Sequence, residues 1–189
     1  TRLQGDWSSD VCSSDLLDEA QFTALLQQGI PFSNPPGMAY EYSNYGFALL
    51  GRVVTRVSGM PYTRYVEKHI LQPLGMRSTT LEPGRVPAGQ LAQGYRWEDG
   101  QWKPEPQLPD GAFGAMGGML TSIDDLTRYV GVFLAAWPPR DGDETAPLRR
   151  ASLREMQQVW RPNTTSLTQS ADGTRQLVVA SYEIGRAHV

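Results

Sequence analysis

The stretch Pro35-Pro36-Gly37-Met38-Ala39-Tyr40-Glu41-Tyr42-Ser43-Asn44-Tyr45-Gly46-Phe47-Ala48-Leu49-Leu50-Gly51 decides how the rest of the chain is read. Its first half is bent by two prolines and a glycine. Its second half predicts a helix beginning near Ser43 or Asn44, since either side chain can accept an orphan amide of the first turn. Phe47, Leu50, Val54 and Val57 fall at helical spacing and predict the apolar face. Gly59 follows as a stop. Pro61 suits the opening of a further helix, Tyr62–Leu71, and Gln72-Pro73-Leu74-Gly75 closes it.

Upstream, Leu17, Phe22, Leu25 and Leu26, with Gly29 as a stop, predict a short amphipathic helix. Pro31–Gly37 is a loop by its content. Downstream, Tyr95-Arg96-Trp97-Glu98 and Gln101-Trp102-Lys103 flank Asp99-Gly100, a favoured two-residue turn, so residues 92–103 predict a hairpin. Gly111–Gly118 is a glycine-rich connection. Thr121 or Ser122 caps a helix with Asp124 and Asp125 in its first turn, running to Pro138-Pro139. Arg140–Thr145 is a polar loop. Ser152-Leu153-Arg154-Glu155 has capping-box spacing and predicts a helix to Trp160, stopped by Pro162. Gln176–Tyr182 is a strand candidate. Helices, a hairpin and a late strand give an α+β class, with most of an antiparallel sheet expected outside the chain.

Composition sets outer limits. A length of 189 residues suffices for one domain with a core. With 20% charged and 40% hydrophobic residues the chain reads as folded rather than disordered. The net charge of −3 leaves no basic stripe to displace phosphate counterions, so nucleic acid is not an expected partner. No run of eighteen apolar residues occurs, so no transmembrane segment is expected in this chain. One cysteine excludes an internal disulfide framework and a multi-cysteine metal site.

The two ends read as DNA chemistry rather than as protein design. Asp10–Leu16 can be spelled GAC GTG TGC TCT TCC GAT CTC. The reverse complement, GAG ATC GGA AGA GCA CAC GTC, translates to Glu183-Ile184-Gly185-Arg186-Ala187-His188-Val189, residue for residue. The string also resembles a translated sequencing-library adapter. Residues 1–16 and 183–189 are therefore expected to be adapter scars and are set aside. Residues 17–182 are expected to be part of a larger domain. Within them there is no cysteine, a single histidine (His69), and two lysines, Lys68 and Lys103.

That scarcity removes most chemistry. His69 has Glu67 two residues away, off its helical face, and reads as a surface or packing histidine; no metal site is predicted. Gly111–Gly118 lacks the Gly-Lys-Ser/Thr ending of a phosphate loop and reads as a turn that lets backbones approach closely, so no cofactor is predicted. Tyr95, Trp97 and Trp102 read as cross-strand partners ahead of a sugar-stacking face. A Ser-His-Asp triad would depend on His69 alone, and no Gly-x-Ser-x-Gly elbow occurs. What remains is Tyr42-Ser43-Asn44, which by physics alone is an aromatic and a cap at a helix entrance.

The wider pattern is far more specific. PPG-x-x-Y-E-YSN-YGFALLG, then V-SG-x-PY, ILQPLGM-x-x-T and FGAMGGMLTSIDDLTRYV, in that order over roughly residues 30–135, strongly resemble the serine β-lactamase-like hydrolases. That family includes class C-type β-lactamases, D-alanyl-D-alanine carboxypeptidases and related esterases. The resemblance implies the helical portion of a β-lactamase/transpeptidase-like fold. It implies a serine of a Ser-x-x-Lys motif attacking a carbonyl to form an acyl-enzyme. Tyr42 would be the proton-transferring tyrosine and Asn44 the substrate-binding asparagine, with no catalytic part for Ser43. A Lys/His-x-Gly strand and a backbone oxyanion hole would complete the pocket. The substrate would be a small molecule or peptide: a β-lactam, a D-Ala-D-Ala peptide or an ester. Family members are exported, which implies a periplasmic or secreted parent.

The departures matter equally. Ser-x-x-Lys would need serine at 65 or 100, where Tyr65 and Gly100 stand, and no Lys-x-Gly or His-x-Gly occurs. A tyrosine titrating near 10 needs cationic neighbours to act as a base at neutral pH. The chain is therefore expected to be an inactive internal part of a hydrolase, and to be marginal or molten when expressed alone, because helices depend on tertiary burial. The alternative is a non-catalytic binding protein on the same scaffold.

Overall fold

A computed structural model describes residues 18–30, 34–35, 38–107, 111–144, 146–158, 161–170, 172–183 and 186–188. Residues 1–16, with Cys12, lie outside them. The described residues fall into two units, taken here one at a time: those of 1–30, 43–68 and 78–122, and those of 31–42, 69–77 and 123–189. The class is α+β, as expected.

In the first unit, α1 spans Glu19–Gln28. Asp18 Oδ1 accepts from the Gln21 amide while Gln21 Oε1 accepts from the Asp18 amide, both at 2.8 Å, a reciprocal capping box. Helix α2 is Asn44–Ser58, with Ser43 as its N-cap and Gly59 at φ 71° closing it in the left-handed region. Pro61 precedes α3, Tyr62–Val66, which runs into a wider π turn at Glu67–Leu71. Strands β1 (Tyr95–Glu98) and β2 (Gln101–Pro104) form the expected hairpin. Asp99 and Gly100 both have positive φ, 53° and 75°, as a two-residue turn of this hand requires. Gly111–Phe113 is a 3₁₀ turn leading into α4, Gly114–Gly117.

The unit closes on Phe22, which is fully buried against Ala48 and Ala112, with Leu26, Tyr45 and Phe113 around it. The Phe22 ring lies 4.7 Å from that of Tyr45 and 5.4 Å, edge-on, from that of Phe113. The face of α2 that takes part differs from the expected one. Ala48 and Gly51 are buried, whereas Leu50 is 58% and Val57 82% exposed, with Phe47 also exposed. The reason is close approach: a Cβ on Gly51 would stand 2.6 Å from Ala115 Cβ, so the α4 segment can reach α2 only over its smallest residues. The Gly111–Gly118 segment is thus a packing element, as its glycines suggested.

In the second unit, α5 spans Ile123–Leu134 and α6 Arg150–Glu155. Phe133, Ala136 and Leu153 form its core, covered by Tyr129, Val132 and Met156. Helix α6 starts earlier and ends sooner than the expected helix from Ser152 to Trp160. Arg149 occupies the cap position without a side-chain bond. Glu144 Oε2, six residues upstream, accepts from the Arg150 amide at 3.1 Å instead. A cap brought in by a loop leaves no local motif to read. Trp160 lies outside the described residues. In the first unit the Thr121 hydroxyl lies 2.8 Å from that of Thr79.

A three-stranded antiparallel sheet follows: β3 (Arg161–Gln169), β4 (Arg175–Glu183) and β5 (Arg186–His188), in that order. Strand β4 contains the expected Gln176–Tyr182; β3 was not foreseen. Its signal was the turn. Asp172 Oδ1 accepts from the Thr174 amide at 2.9 Å and Ser170 and Thr174 close the loop, so Asp172-Gly173 repeats the Asp-Gly signature seen at 99–100. Among the described residues, no helix is long and apolar enough to cross a membrane.

Candidate functional site

The approach to α2 is held by local bonds. Met38 N donates to the Pro35 carbonyl at 3.1 Å, and Asn34 Nδ2 donates to Glu41 Oε1 at 2.9 Å. Tyr42 ends this segment and is 57% exposed. Ser43 is extended (φ −143°, ψ 103°), and its Oγ accepts from the Gly46 amide at 2.9 Å. Asn44 is then the first helical residue, half-buried. The serine hydroxyl between the two candidate residues is engaged in the cap. Tyr42 and Asn44 are brought together by sequence, one cap residue apart.

Among the described residues a cavity lies in each unit, and neither of these two is lined by Tyr42 or Asn44. The first, about 680 Å³, lies beside α2 and α3 and is lined by Arg52, Thr55, Arg56, Tyr62 and Thr63 among others. Arg52 is a clasp within it. Its guanidinium reaches Glu19 Oε2 at 2.7 Å and Thr23 Oγ1 at 2.8 Å, and sits 5.3 Å over the Phe22 ring. The sequence reading missed this contact because 29–33 residues separate the partners. Burial pushes the Tyr62 phenol above its usual range. Tyr45 is pushed up the same way, opposed by Arg52, and its hydroxyl is buried without a hydrogen-bond partner.

The second cavity, about 400 Å³, carries Arg128, Arg140, Glu144 and Arg150. Arg150 is spent on structure: it donates to the carbonyls of Asp143 and Gly142, each at 2.8 Å, and of Arg140 at 3.3 Å. Arg128 reaches the buried Asp125 carboxylate at 2.9 Å. Among the described residues no group of His, Cys, Asp and Glu side chains forms a metal-binding cluster. On the hairpin, Trp97 and Trp102 are opposed in register with rings 5.2 Å apart and edge-on, the cross-strand partnership expected of them.

Comparison with known proteins turns this corner into a family assignment. The chain is 31% identical over 126 residues to beta-lactamase-like protein 2 of Dictyostelium discoideum, covering 66% of this chain and 21% of that protein. It superposes on the octameric penicillin-binding protein homologue of Pyrococcus abyssi with a TM-score of 0.64 at 26% identity, over 82% of this chain and 31% of that one. A beta-lactamase/D-alanine carboxypeptidase of Pseudomonas syringae gives a TM-score of 0.62 at 21% identity, over 91% of this chain and 42% of that one. The matched region thus spans well under half of each. The beta-lactamase family model matches residues 2–180. Motif order, fold and match agree, and the chain belongs to the beta-lactamase family of hydrolases.

Proposed function

We propose that the chain is part of a serine hydrolase that forms an acyl-enzyme on an amide or ester carbonyl: a β-lactam, a D-Ala-D-Ala peptide or a simple ester. Tyr42 shuttles protons at the attacking hydroxyl and Asn44 binds substrate. The observation that carries this is the entrance of α2, where Ser43 caps the helix and fixes the backbone between a phenol and a carboxamide. A cap of this kind pre-sets backbone direction, as a preorganised pocket requires.

By itself the chain is inactive, because it holds neither Ser-x-x-Lys nor Lys/His-x-Gly. The reverse-complement relation supports 1–16 and 183–189 as adapter-derived and 17–182 as the family part, although the family-model match begins at residue 2; coding sequence in which codons 10–16 and 183–189 are not complementary would refute that origin.

Two assays test the functional reading. The isolated chain neither hydrolyses a chromogenic cephalosporin nor is labelled by fluorescent penicillin; specific labelling would overturn the inactivity. Grafted in place of the superposed part of the Pseudomonas syringae enzyme, the chain supports cephalosporin hydrolysis. Tyr42→Phe in that chimera lowers kcat by roughly 10²–10⁴-fold, the scale of a lost general acid–base group. An active Tyr42→Phe chimera would remove the tyrosine from the mechanism.

A further inference from the structure

The cavity of the second unit is charged against the sign of the chain. The chain carries a net charge of −3, yet three guanidiniums, those of Arg128, Arg140 and Arg150, line this one space of about 400 Å³. Two carboxylates stand against them. Glu144 is in the lining, and its Oε2 accepts from the Arg150 amide. Asp125, buried behind Arg128, takes its Nη1 at 2.9 Å. Three cations against two anions leave one positive charge. The rest of the wall is apolar and includes Leu74, Val132, Leu148 and Leu153. The volume falls within the range of about 300–1,000 Å³ that small-molecule sites occupy.

The three guanidiniums are not equivalent. Arg150 has given Nη1 and Nη2 to backbone carbonyls, and its Nε is buried without a hydrogen-bond partner, 3.9 Å from Glu144 Oε1. It supplies fixed positive charge rather than a free donor. Arg128 is held from behind by Asp125 while its side chain stays 53% exposed, and its other N–H groups have no acceptor among the described residues. Arg140 is exposed, with only two long bonds of 3.4 Å, to the Trp137 and Pro138 carbonyls. Two planar forks thus keep donors open at one apolar-walled cavity. A carboxylate answers such a fork with two parallel hydrogen bonds. Its single charge matches the one left over, which a phosphate dianion would exceed. We propose that this cavity binds an amphipathic monocarboxylate, with the head on Arg128 and Arg140 and the apolar body along Leu74, Val132 and Leu148. The site uses neither Tyr42 nor Asn44, so it does not depend on the hydrolase reading.

Equilibrium dialysis against octanoate tests this, in the 189-residue chain and in the chimera described above. Octanamide serves as the neutral isostere and inorganic phosphate as the competitor. One octanoate is retained per chain, at least about tenfold more tightly than octanamide, because the amide lacks the charge that shortens and strengthens hydrogen bonds to guanidinium. Equimolar phosphate does not displace it. Arg140→Gln leaves the far-UV circular dichroism unchanged and weakens octanoate roughly tenfold or more, as for loss of a hydrogen bond between charged groups. Leu148→Glu, at an exposed position of the wall, sets a like charge beside the ligand head and abolishes retention. Arg56→Gln, in the other cavity, changes nothing.

Retention by neither protein overturns the proposal. Octanamide held as tightly as octanoate, or several octanoates held per chain, overturns it too, since either means apolar adsorption. Displacement by equimolar phosphate reduces the site to one for any oxyanion and overturns the ligand class. Unchanged affinity in Arg140→Gln, or lost affinity in Arg56→Gln, places the ligand elsewhere and also overturns it. Retention by the chimera alone sustains the proposal provided that Arg140→Gln weakens it there. Should Leu148→Glu lose far-UV structure, Arg140→Gln still decides.

Discussion

Helices α2 and α5 both leave large apolar residues exposed, Phe47, Leu50, Val53 and Val57 on the first and Ile123, Leu126, Val130 and Leu134 on the second, and differ in what they bury. Helix α5 buries a large residue, Phe133, on Ala136 and Leu153, and with it a carboxylate, Asp125, which is 2% exposed. Helix α2 fully buries only its small residues Ala48 and Gly51, with Tyr45, Leu49 and Val54 half-buried. A helix wheel ranks both apolar arcs alike. What separates them is the neighbour: α5 packs Phe133 on Ala136 and Leu153, whereas α2 meets Ala115 of a glycine-rich segment at a distance that only Gly51 allows. Which arc is buried is a property of the partner, and the partner is not local in sequence.

The sharpest way to break this contrast is to empty each core. Made in the chimera, Phe22→Ala and Phe133→Ala each remove a buried aromatic and should cost about 3–5 kcal/mol. Hydrogen exchange should show Phe22→Ala releasing the α2 amides with α5 retained, and Phe133→Ala the reverse. Loss of both helices in either variant would mean that the two clusters fold as one.

Next come the inward positions themselves. Gly51→Ala drives a methyl into Ala115 and should destabilise by about 1–3 kcal/mol, despite a helix-propensity gain of about 1 kcal/mol. Leu50→Ala one residue earlier should stay within about 0.5 kcal/mol, as surface substitutions do. The ordinary expectation, leucine above glycine, is reversed, and denaturant titration of the pair decides it. On α5, Asp125→Ala strips Arg128 of a 2.9 Å partner and opens a buried polar site. It should cost about 1–3 kcal/mol.

Smaller effects refine the α2 side. Tyr45 buries a hydroxyl that nothing accepts from, so Tyr45→Phe should be neutral or stabilising by up to about 1 kcal/mol; a clear loss in thermal midpoint would reveal a hidden partner. The smallest is a pH effect. Tyr62 is held above its unfolded value near 10. Above pH 10 the unfolded chain ionises first, so stability is complete below pH 10 and declines as pH rises past it. Tyrosinate absorbance should therefore lag behind in the folded chain, and Tyr62→Phe should shrink the lag.

Much of this architecture was legible in residues. Several local starts and stops were read correctly: Ser43 and Gly59 around α2, Pro61 before α3, Asp99-Gly100 in the hairpin. The family was legible too, because its motifs are ordered and long. The misreadings share one cause, a partner supplied from a distance. Glu144 caps α6 across a loop, Arg52 clasps α1, and Ala115 decides which face of α2 is buried. Strand β3 failed differently: Thr164, Thr165 and Thr168 favour strand by branching at Cβ, but their hydroxyls hide the alternation that hydrophobicity would reveal. The candidate pair Tyr42 and Asn44 was found by motif, and no periodicity would have singled it out.

The indole pair on the hairpin has an optical consequence. Two chromophores 5.2 Å apart with planes inclined at 68° are close enough for their transition dipoles to couple. Such a dimer splits its absorption into a signed exciton couplet in circular dichroism. The β1–β2 hairpin therefore carries its own spectroscopic reporter, which would follow the turn at Asp99-Gly100 through melting while the helices report separately.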